Sequence, residues 1–104
     1  MNLQQIRYFL AVCKEKNFTR AAESCRIRQP SLTSAIQRLE REVGGELFVR
    51  SSPIQLSMLG KELRPLFLRM SRAAEHARRV AAKHATSAPL PPRLRSAAAI
   101  EHRV

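Results

Sequence analysis

The fold is decided by the stretch NFTRAAESCRIRQPSLTSAIQRLEREVGG, residues 17–45. Its first residue, an asparagine, is a good helix cap, and residues 18–25 have small side chains on one face, which suits close helix packing. Residues 26–29 break this pattern, and Pro30 is suited to the first turn of a following helix, where its missing N–H costs nothing. The glycine pair at 44–45 ends that helix. The stretch therefore predicts two helices joined by a tight turn, a helix-turn-helix.

The second helix of this pair has two different faces. Apolar residues recur at steps of four, three and four, which predicts a buried stripe: Leu32, Ile36, Leu39 and Val43. The opposite face carries side chains that can donate to phosphates and base edges, and none of them is acidic: Ser31, Thr33, Ser34, Gln37, Arg38 and Arg41. Arg38 is suited to guanine or a phosphate, and Gln29 to a bidentate contact with adenine. A merely solvated face is the alternative, and the order of the flanking elements favours DNA.

The flanking sequence completes a winged helix. Apolar residues within positions 3–13 recur at three- and four-residue steps and predict an amphipathic helix before the helix-turn-helix. After it, Leu47–Arg50 and Ile54–Leu56 are two β-prone runs around Ser51–Pro53, and they predict a hairpin. We therefore assign residues 1–57 to a winged helix-turn-helix DNA-binding domain of a mainly α protein.

A long helix follows this domain. Ser57 can cap it, and it is predicted to run to about His84, with a kink at Pro65. Seven apolar residues alternate steps of four and three, as in a coiled-coil seam: Leu59, Leu63, Leu66, Met70, Ala73, Ala77 and Val80. Such a seam needs a partner, so residues 58–85 are predicted to form a linker and dimerisation helix of a homodimer, with a tetramer left open. Residues 86–104, which are rich in proline, are predicted to be a disordered tail.

The charge balance favours a polyanionic partner. The 104 residues include 19 Lys and Arg against 8 Asp and Glu, a formal net charge of +11. Charge alone leaves DNA, RNA and an anionic membrane surface open. The two cysteines, Cys13 and Cys25, lie among apolar residues and are expected to be small core side chains rather than metal ligands.

Catalysis and membrane insertion are not predicted. His76, His84 and His102 have no adjacent nucleophile, carboxylate pair or phosphate-binding loop, so we expect no enzyme, metal site or cofactor. No stretch approaches the ~20 apolar residues of a membrane span, and the N-terminus does not have the pattern of a signal peptide. We therefore expect a cytoplasmic protein.

Four strings in the first half of the chain carry a family resemblance: LQQIRYFLAV, NFTRAAE, RQPSLTSAIQRLE and GGELFVRSS. With them, residues 1 to about 85 resemble the N-terminal region of the LysR-type transcriptional regulators. The resemblance implies a homodimer, joined through the long helix, that binds double-stranded DNA at a partly palindromic site. It also implies that Arg50 begins the wing and that Thr19 and Arg20 lie near phosphates. The residues it implies to approach bases or the backbone are Gln29, Pro30, Ser31, Thr33 and Ser34.

Three positions depart from the family pattern. Arg28 stands where a Ser or Thr usually caps the recognition helix, and loss of that cap costs about 1 kcal/mol. A phosphate contact and simple solvation both remain open for this arginine. Ser34 replaces a larger, often basic side chain, which should alter base preference. The wing is shorter than usual and has Pro53 where a basic residue is common, which argues against its contact with the minor groove.

The region after the long helix leaves several readings open. Similar regulators continue into an effector-binding domain, whereas a short tail follows here, so no small-molecule effector is expected. An excised fragment, a truncated gene product and a natural stand-alone module all remain open. A second hypothesis is an interaction module that forms mixed dimers with full-length relatives. A third, binding of a membrane surface by the basic helix 57–84, is disfavoured because the chain has no Trp and the apolar stripe is narrow.

Overall fold

The computed structural model describes residues 1–85, and in that part of the chain it has four helices and one hairpin. The two strands pair antiparallel, with Phe48 opposite Leu56 and Val49 opposite Gln55. The elements are α1 Leu3–Glu15, α2 Phe18–Cys25, α3 Gln29–Val43, β1 Phe48–Val49, β2 Gln55–Leu56 and α4 Met58–Lys83. This order confirms the predicted mainly α winged helix followed by a long helix.

Side-chain caps fix the start of three of these helices. At α1, Asn2 Oδ1 accepts from the Gln5 N–H at 2.8 Å, and Gln5 Oε1 accepts from the Asn2 N–H at 3.1 Å, which is a capping box. At α2 and α4, Asn17 and Ser57 each accept from the backbone N–H three residues later, at 2.9 and 3.0 Å. By contrast, Arg28 at the start of α3 makes no side-chain cap bond, as its residue type predicts.

The core lies between the first three helices, the hairpin and the start of α4. All four phenylalanines belong to it. The Phe9 ring centroid is 5.3 Å from those of Phe48 and Phe67, and the Phe18 centroid is 5.9 Å from that of Phe48. Such pairs contribute about 0.5–1.5 kcal/mol each beyond their area burial. The other buried apolar side chains are Ile6, Val12, Ala21, Ala22, Leu32, Ile36, Leu39 and Leu47.

Glu40 connects the end of α3 to the hairpin. Gly44 ends α3 with φ +84°, a left-handed conformation that suits glycine, and its N–H donates to the Glu40 carbonyl at 2.9 Å. The Glu40 side chain reaches the next segment, where its Oε2 accepts from the Leu47 N–H at 2.7 Å. The direction in which the chain leaves α3 is thus fixed through both the backbone and the side chain of Glu40.

The first turn of α4 is pressed against the hairpin. A Cβ atom at Gly60 would lie 2.2 Å from the Leu47 carbonyl oxygen, so no other residue fits there without a shift of the helix. The Ser57 N–H donates to that same oxygen at 2.9 Å, and Ser57 Oγ donates to the Glu46 carbonyl at 2.6 Å. The helix then continues without interruption through Pro65.

The apolar stripe of α4 has two parts, one packed against the core and one exposed. Leu59 and Leu63 pack against the core of their own domain, whereas Leu66, Met70 and Val80 are 48%, 40% and 40% exposed. Two of the seven residues predicted to form the dimerisation seam therefore also contact the core of their own chain. They do so because α4 starts alongside the hairpin and stays in contact with the core as far as Phe67.

The hairpin is shorter than the β-prone runs predicted. Each strand has two residues rather than three or four. The Ser51 N–H donates to the Val49 carbonyl at 2.9 Å and Ser51 Oγ donates to the Pro53 carbonyl at 2.7 Å, so the chain turns directly after β1. The Ser52–Pro53 peptide bond within this turn is cis.

The two cysteines differ in their surroundings. Cys13 is half-buried and packs against the core, as expected, whereas Cys25 is half-buried outside the core cluster, which corrects the prediction for that residue.

Within residues 1–85, no helix is long and apolar enough to cross a membrane. The predicted disordered tail, residues 86–104, and His102 within it lie outside the described residues.

Candidate nucleic-acid interface

The exposed face of α3 carries most of the side chains predicted to meet DNA. The helix buries Leu32, Ile36 and Leu39 and leaves its other side to solvent. Thr33 is half-buried, at the border between the two sides. The predicted contacts that α3 exposes are Gln29, Pro30, Ser31, Ser34, Gln37 and Arg38.

A cleft of about 500 Å³ separates this face from α1. Ser31, Ser34 and Arg38 line it from α3, and Gln4 and Tyr8 line it from α1. Gln4 Nε2 donates to the Tyr8 hydroxyl at 2.8 Å. The place of Gln4 and Tyr8 in this cleft was not predicted, because the apolar stripe of α1 indicates only a core helix. The signal for it in the sequence is their spacing of four residues, which places two polar side chains on one helix face outside the apolar stripe.

Thr19 and Gln29 are in contact across the turn between α2 and α3. Thr19 Oγ1 donates to Gln29 Oε1 at 2.9 Å, and both side chains are exposed. Thr19 lies in the first turn of α2, and Gln29 is the first residue of α3. A residue expected near phosphates and a residue expected at a base edge are therefore hydrogen-bonded to each other. Arg20 and Arg28, the sequence neighbours of Thr19 and Gln29, are also exposed.

Arg50, directly after β1 at the start of the hairpin turn, lies over an aromatic ring. Its Cζ atom is 4.5 Å from the ring centroid of Phe18, which is part of the buried aromatic cluster. A cation–π contact at an exposed site contributes about 0.5–1 kcal/mol. The side chain of Arg50 itself stays exposed, so its charge is held beside the start of α2 and remains available.

A smaller cleft, of about 320 Å³, lies between the hairpin turn and the start of α2. Thr19 and Gln29 line it on one side and Ser51 and Ser52 on the other. Lys16 also lines it, as an exposed residue with φ 54° that ends α1. Lys16 was not among the residues predicted to contact DNA. The signal for it in the sequence is a basic residue directly before Asn17, which caps α2.

Both acidic side chains of α3 have bonding partners. The Glu40 carboxylate accepts from the Leu47 N–H, and the Glu42 carboxylate is paired with the N-terminal ammonium of Met1. The other ion pair within residues 1–85 joins Arg78 to Glu75 on α4, at 2.9 Å. In the described part of the chain, the arginines predicted to contact DNA therefore have no carboxylate partner: Arg20, Arg28, Arg38 and Arg50.

Neither the cysteines nor the histidines form a reactive centre in the described region. Burial raises the pKa of the Cys13 thiol to about 11, and the nearby Arg64 guanidinium opposes this shift. The thiol is therefore neutral at neutral pH, which does not favour nucleophilic or metal chemistry. No three side chains of His, Cys, Asp or Glu come together within residues 1–85 to hold a metal ion.

Several known proteins are similar to this chain in sequence and in structure. The probable cat1 operon transcriptional activator of Acinetobacter lwoffii is 53% identical over 62 residues, which cover 59% of this chain and 20% of that protein. A structure of the BenM DNA-binding domain in complex with catB site 1 DNA is 31% identical with a TM-score of 0.78, covering 85% of this chain and 100% of that one. Vibrio fischeri DarR in complex with DNA is 32% identical with a TM-score of 0.77, covering 80% of this chain and 29% of that one.

The family match covers the whole winged helix. The bacterial regulatory helix-turn-helix protein family of the lysR type matches residues 3–61, from the start of α1 to the first turn of α4. The chain spans about a fifth of the length of the A. lwoffii relative. Since this match extends over more than half of the chain, the protein belongs to the LysR family of bacterial regulatory helix-turn-helix proteins.

Proposed function

We propose that the chain regulates transcription by binding duplex DNA sequence-specifically, with α3 in the major groove. The observation that carries this proposal is the face of α3 from Gln29 to Arg38, which is polar and basic, while both carboxylates of the same helix have other bonding partners. A recognition helix needs such a face because base edges are read by hydrogen-bond donors and acceptors, and because a carboxylate beside phosphates is repelled.

The side chains divide into two roles. Gln29, Ser31, Ser34 and Arg38 are suited to base edges because they lie on the exposed side of the first turns of α3, the part of a recognition helix that enters the groove most deeply. The residues suited to phosphates lie around them: Thr19 and Arg20 at the start of α2, Arg28 before α3, Thr33 and Gln37 along it, and Arg50 at the wing. Pro30, which has no hydrogen-bond donor, can make only van der Waals contacts with DNA.

Binding as a homodimer to a partly palindromic site is supported by α4. Its exposed stripe consists of Leu66, Met70, Ala73, Ala77 and Val80. A second copy of the same helix would bury these residues by coiled-coil packing. Two winged helices related by a two-fold axis would then face two half-sites of inverted sequence. A further pairing of dimers into tetramers stays open.

Selection from randomised duplexes tests this function. The purified chain should enrich two related half-sites, and its affinity should fall steeply with salt, because each phosphate contact releases condensed counterions. Arg38→Ala should weaken binding and relax one base position in each half-site. Arg79→Ala is the matched control, since it removes an exposed arginine roughly 30 Å along α4. Binding that is indifferent to sequence contradicts the proposal.

The same stripe supports a second candidate function, the formation of mixed dimers with full-length relatives. The residues that would pair two copies are all apolar, so the stripe itself has no charge that would select one partner. Co-expression with a full-length relative, followed by affinity purification through a tag on one chain, tests this. Recovery of homodimers alone counts against mixed pairing.

A further inference from the structure

The hydrogen bond between Thr19 and Gln29 limits what Gln29 can offer to a base. A glutamine side chain has an amide oxygen that accepts and an NH₂ group that donates, on opposite branches of one planar group. Here Gln29 Oε1 accepts from Thr19 Oγ1 at 2.9 Å. The oxygen is therefore directed at α2, and the NH₂ branch is the one left without a partner among the hydrogen bonds of the described residues.

Both ends of this bond are held in place by secondary structure. Thr19 is in the first turn of α2, whose start is fixed by the Asn17 cap bond to the Arg20 N–H at 2.9 Å. Gln29 is the first residue of α3, directly before Pro30, which restricts its backbone to few conformations. The side chain that bridges two fixed helix starts has less freedom than an ordinary exposed glutamine.

We propose that Thr19 is a positioning residue that determines which base Gln29 reads, an inference that rests on the proposed DNA binding. A bidentate contact with adenine needs the glutamine oxygen to accept from the adenine N6 amino group and the nitrogen to donate to N7. Thr19 uses one of the two lone pairs of Oε1 and orients the amide so that this oxygen faces α2, which leaves the NH₂ branch of Gln29 to act toward the groove as a donor. In the major groove guanine presents two acceptors, O6 and N7, and thymine one, O4, whereas adenine presents its N7 acceptor beside an amino donor and cytosine presents a donor. Gln29 as a donor therefore favours guanine or thymine, contacts adenine through N7 alone, and rejects cytosine.

The test compares duplex selections for the wild-type chain and three variants. Gln29→Ala identifies the position that Gln29 reads, as the one where preference is lost. Thr19→Val removes the hydroxyl while keeping nearly the same shape, and Thr19→Ser keeps the hydroxyl. Urea unfolding of each variant verifies that the fold is intact, and the side-chain NH₂ signals of Gln29 in ¹⁵N NMR spectra report on the bond without DNA.

We expect the wild type to prefer guanine or thymine at that position. Thr19→Val should reduce this discrimination roughly three- to tenfold, the factor that corresponds to one hydrogen bond, and should raise the preference for adenine, because the freed oxygen can accept from the adenine N6 amino group. Thr19→Ser should restore the wild-type preference, which a merely structural role of the side chain does not explain. The Gln29 NH₂ signals should move in Thr19→Val and stay in Thr19→Ser.

Two kinds of result overturn the inference in different ways. A clear wild-type consensus that prefers adenine or cytosine at this position, that does not change in Gln29→Ala, or that is identical in Thr19→Val removes the positioning role and leaves DNA binding standing. A wild-type selection without any consensus overturns the proposed function itself, and the role of Thr19 with it.

Discussion

The Glu40 carboxylate, on the recognition helix, accepts a 2.7 Å hydrogen bond from the Leu47 backbone N–H, at the start of the wing. The bond is partly buried, so loss of the acceptor leaves an N–H without a partner and with little access to water. Glu40→Ala should lower the free energy of unfolding by about 1–3 kcal/mol. Glu40→Gln, which keeps an acceptor, should lose less. Urea denaturation measures both.

Glu62→Ala is the matched control for this prediction, because Glu62 is an exposed helical glutamate without a hydrogen bond among the described residues. Equal stability of Glu40→Ala and Glu62→Ala would mean that the bond contributes nothing to the joint between α3 and the wing.

Gly60→Ala should destabilise the domain even though alanine is the better helix former by about 1 kcal/mol. The added Cβ would lie 2.2 Å from the Leu47 carbonyl oxygen, a backbone atom that cannot turn aside. Overpacking of this kind costs typically about 1–3 kcal/mol. Gly45→Ala is the comparison, since its Cβ would meet only Leu59 Cδ2, the flexible end of a side chain, at 3.0 Å. Thermal unfolding that ranks Gly60→Ala as the more stable of the two contradicts this account.

A charged residue in the apolar stripe of α4 should change the oligomeric state of the chain without unfolding it. Met70→Glu places a charge among the exposed apolar residues and should shift a homodimer toward monomer without unfolding the domain, because Met70 is 40% exposed and lies outside the core. Met58→Glu is the control, at a position that is 72% exposed and off the stripe. Sedimentation velocity measures the outcome. Leu63→Glu should instead unfold the domain, because Leu63 packs against the core.

The Cys13 thiol predicts a pH dependence of stability. Its pKa is raised from 9.0 to about 11 by burial, so above pH 9 the unfolded chain loses this proton more readily than the folded one. Stability from this group is fully present below pH 9 and is lost as the pH rises toward 11. Denaturation curves from pH 8 to 11, recorded in a Cys25→Ser background, should show this loss. The further change Cys13→Ala should remove it.

Helix ends were predictable from sequence because their signals are local. Asn17 and Ser57 cap the helices that follow them, and Gly44 ends α3 with a positive φ, so one residue type decides each boundary. The exposed face of α3 followed from its apolar period, since burial of Leu32, Ile36 and Leu39 leaves only the opposite side for solvent.

Contacts between distant residues were not predictable in this way. The bond from Thr19 to Gln29 spans ten positions, and it depends on the angle at which α2 and α3 meet, which no periodicity encodes. The same holds for Gly60, which in sequence is only a weak point of a helix and in the fold is the site of closest approach to the Leu47 carbonyl. The stripe of α4 also has one period throughout, so its pattern could not distinguish core contacts at Leu59 from exposed ones at Met70.

The contact at Gly60 has a mechanical consequence. The 26-residue α4 is roughly 39 Å long and is clamped to the wing at its first turn, so a tilt of about 10° there moves its far end by roughly 7 Å. In a homodimer joined through the stripe of α4, this contact would set the angle between α4 and the winged helix, and with it the separation of the two recognition helices. The number of base pairs between half-sites would then depend on Gly60, because a Cβ atom at this position would push α4 away from the Leu47 carbonyl.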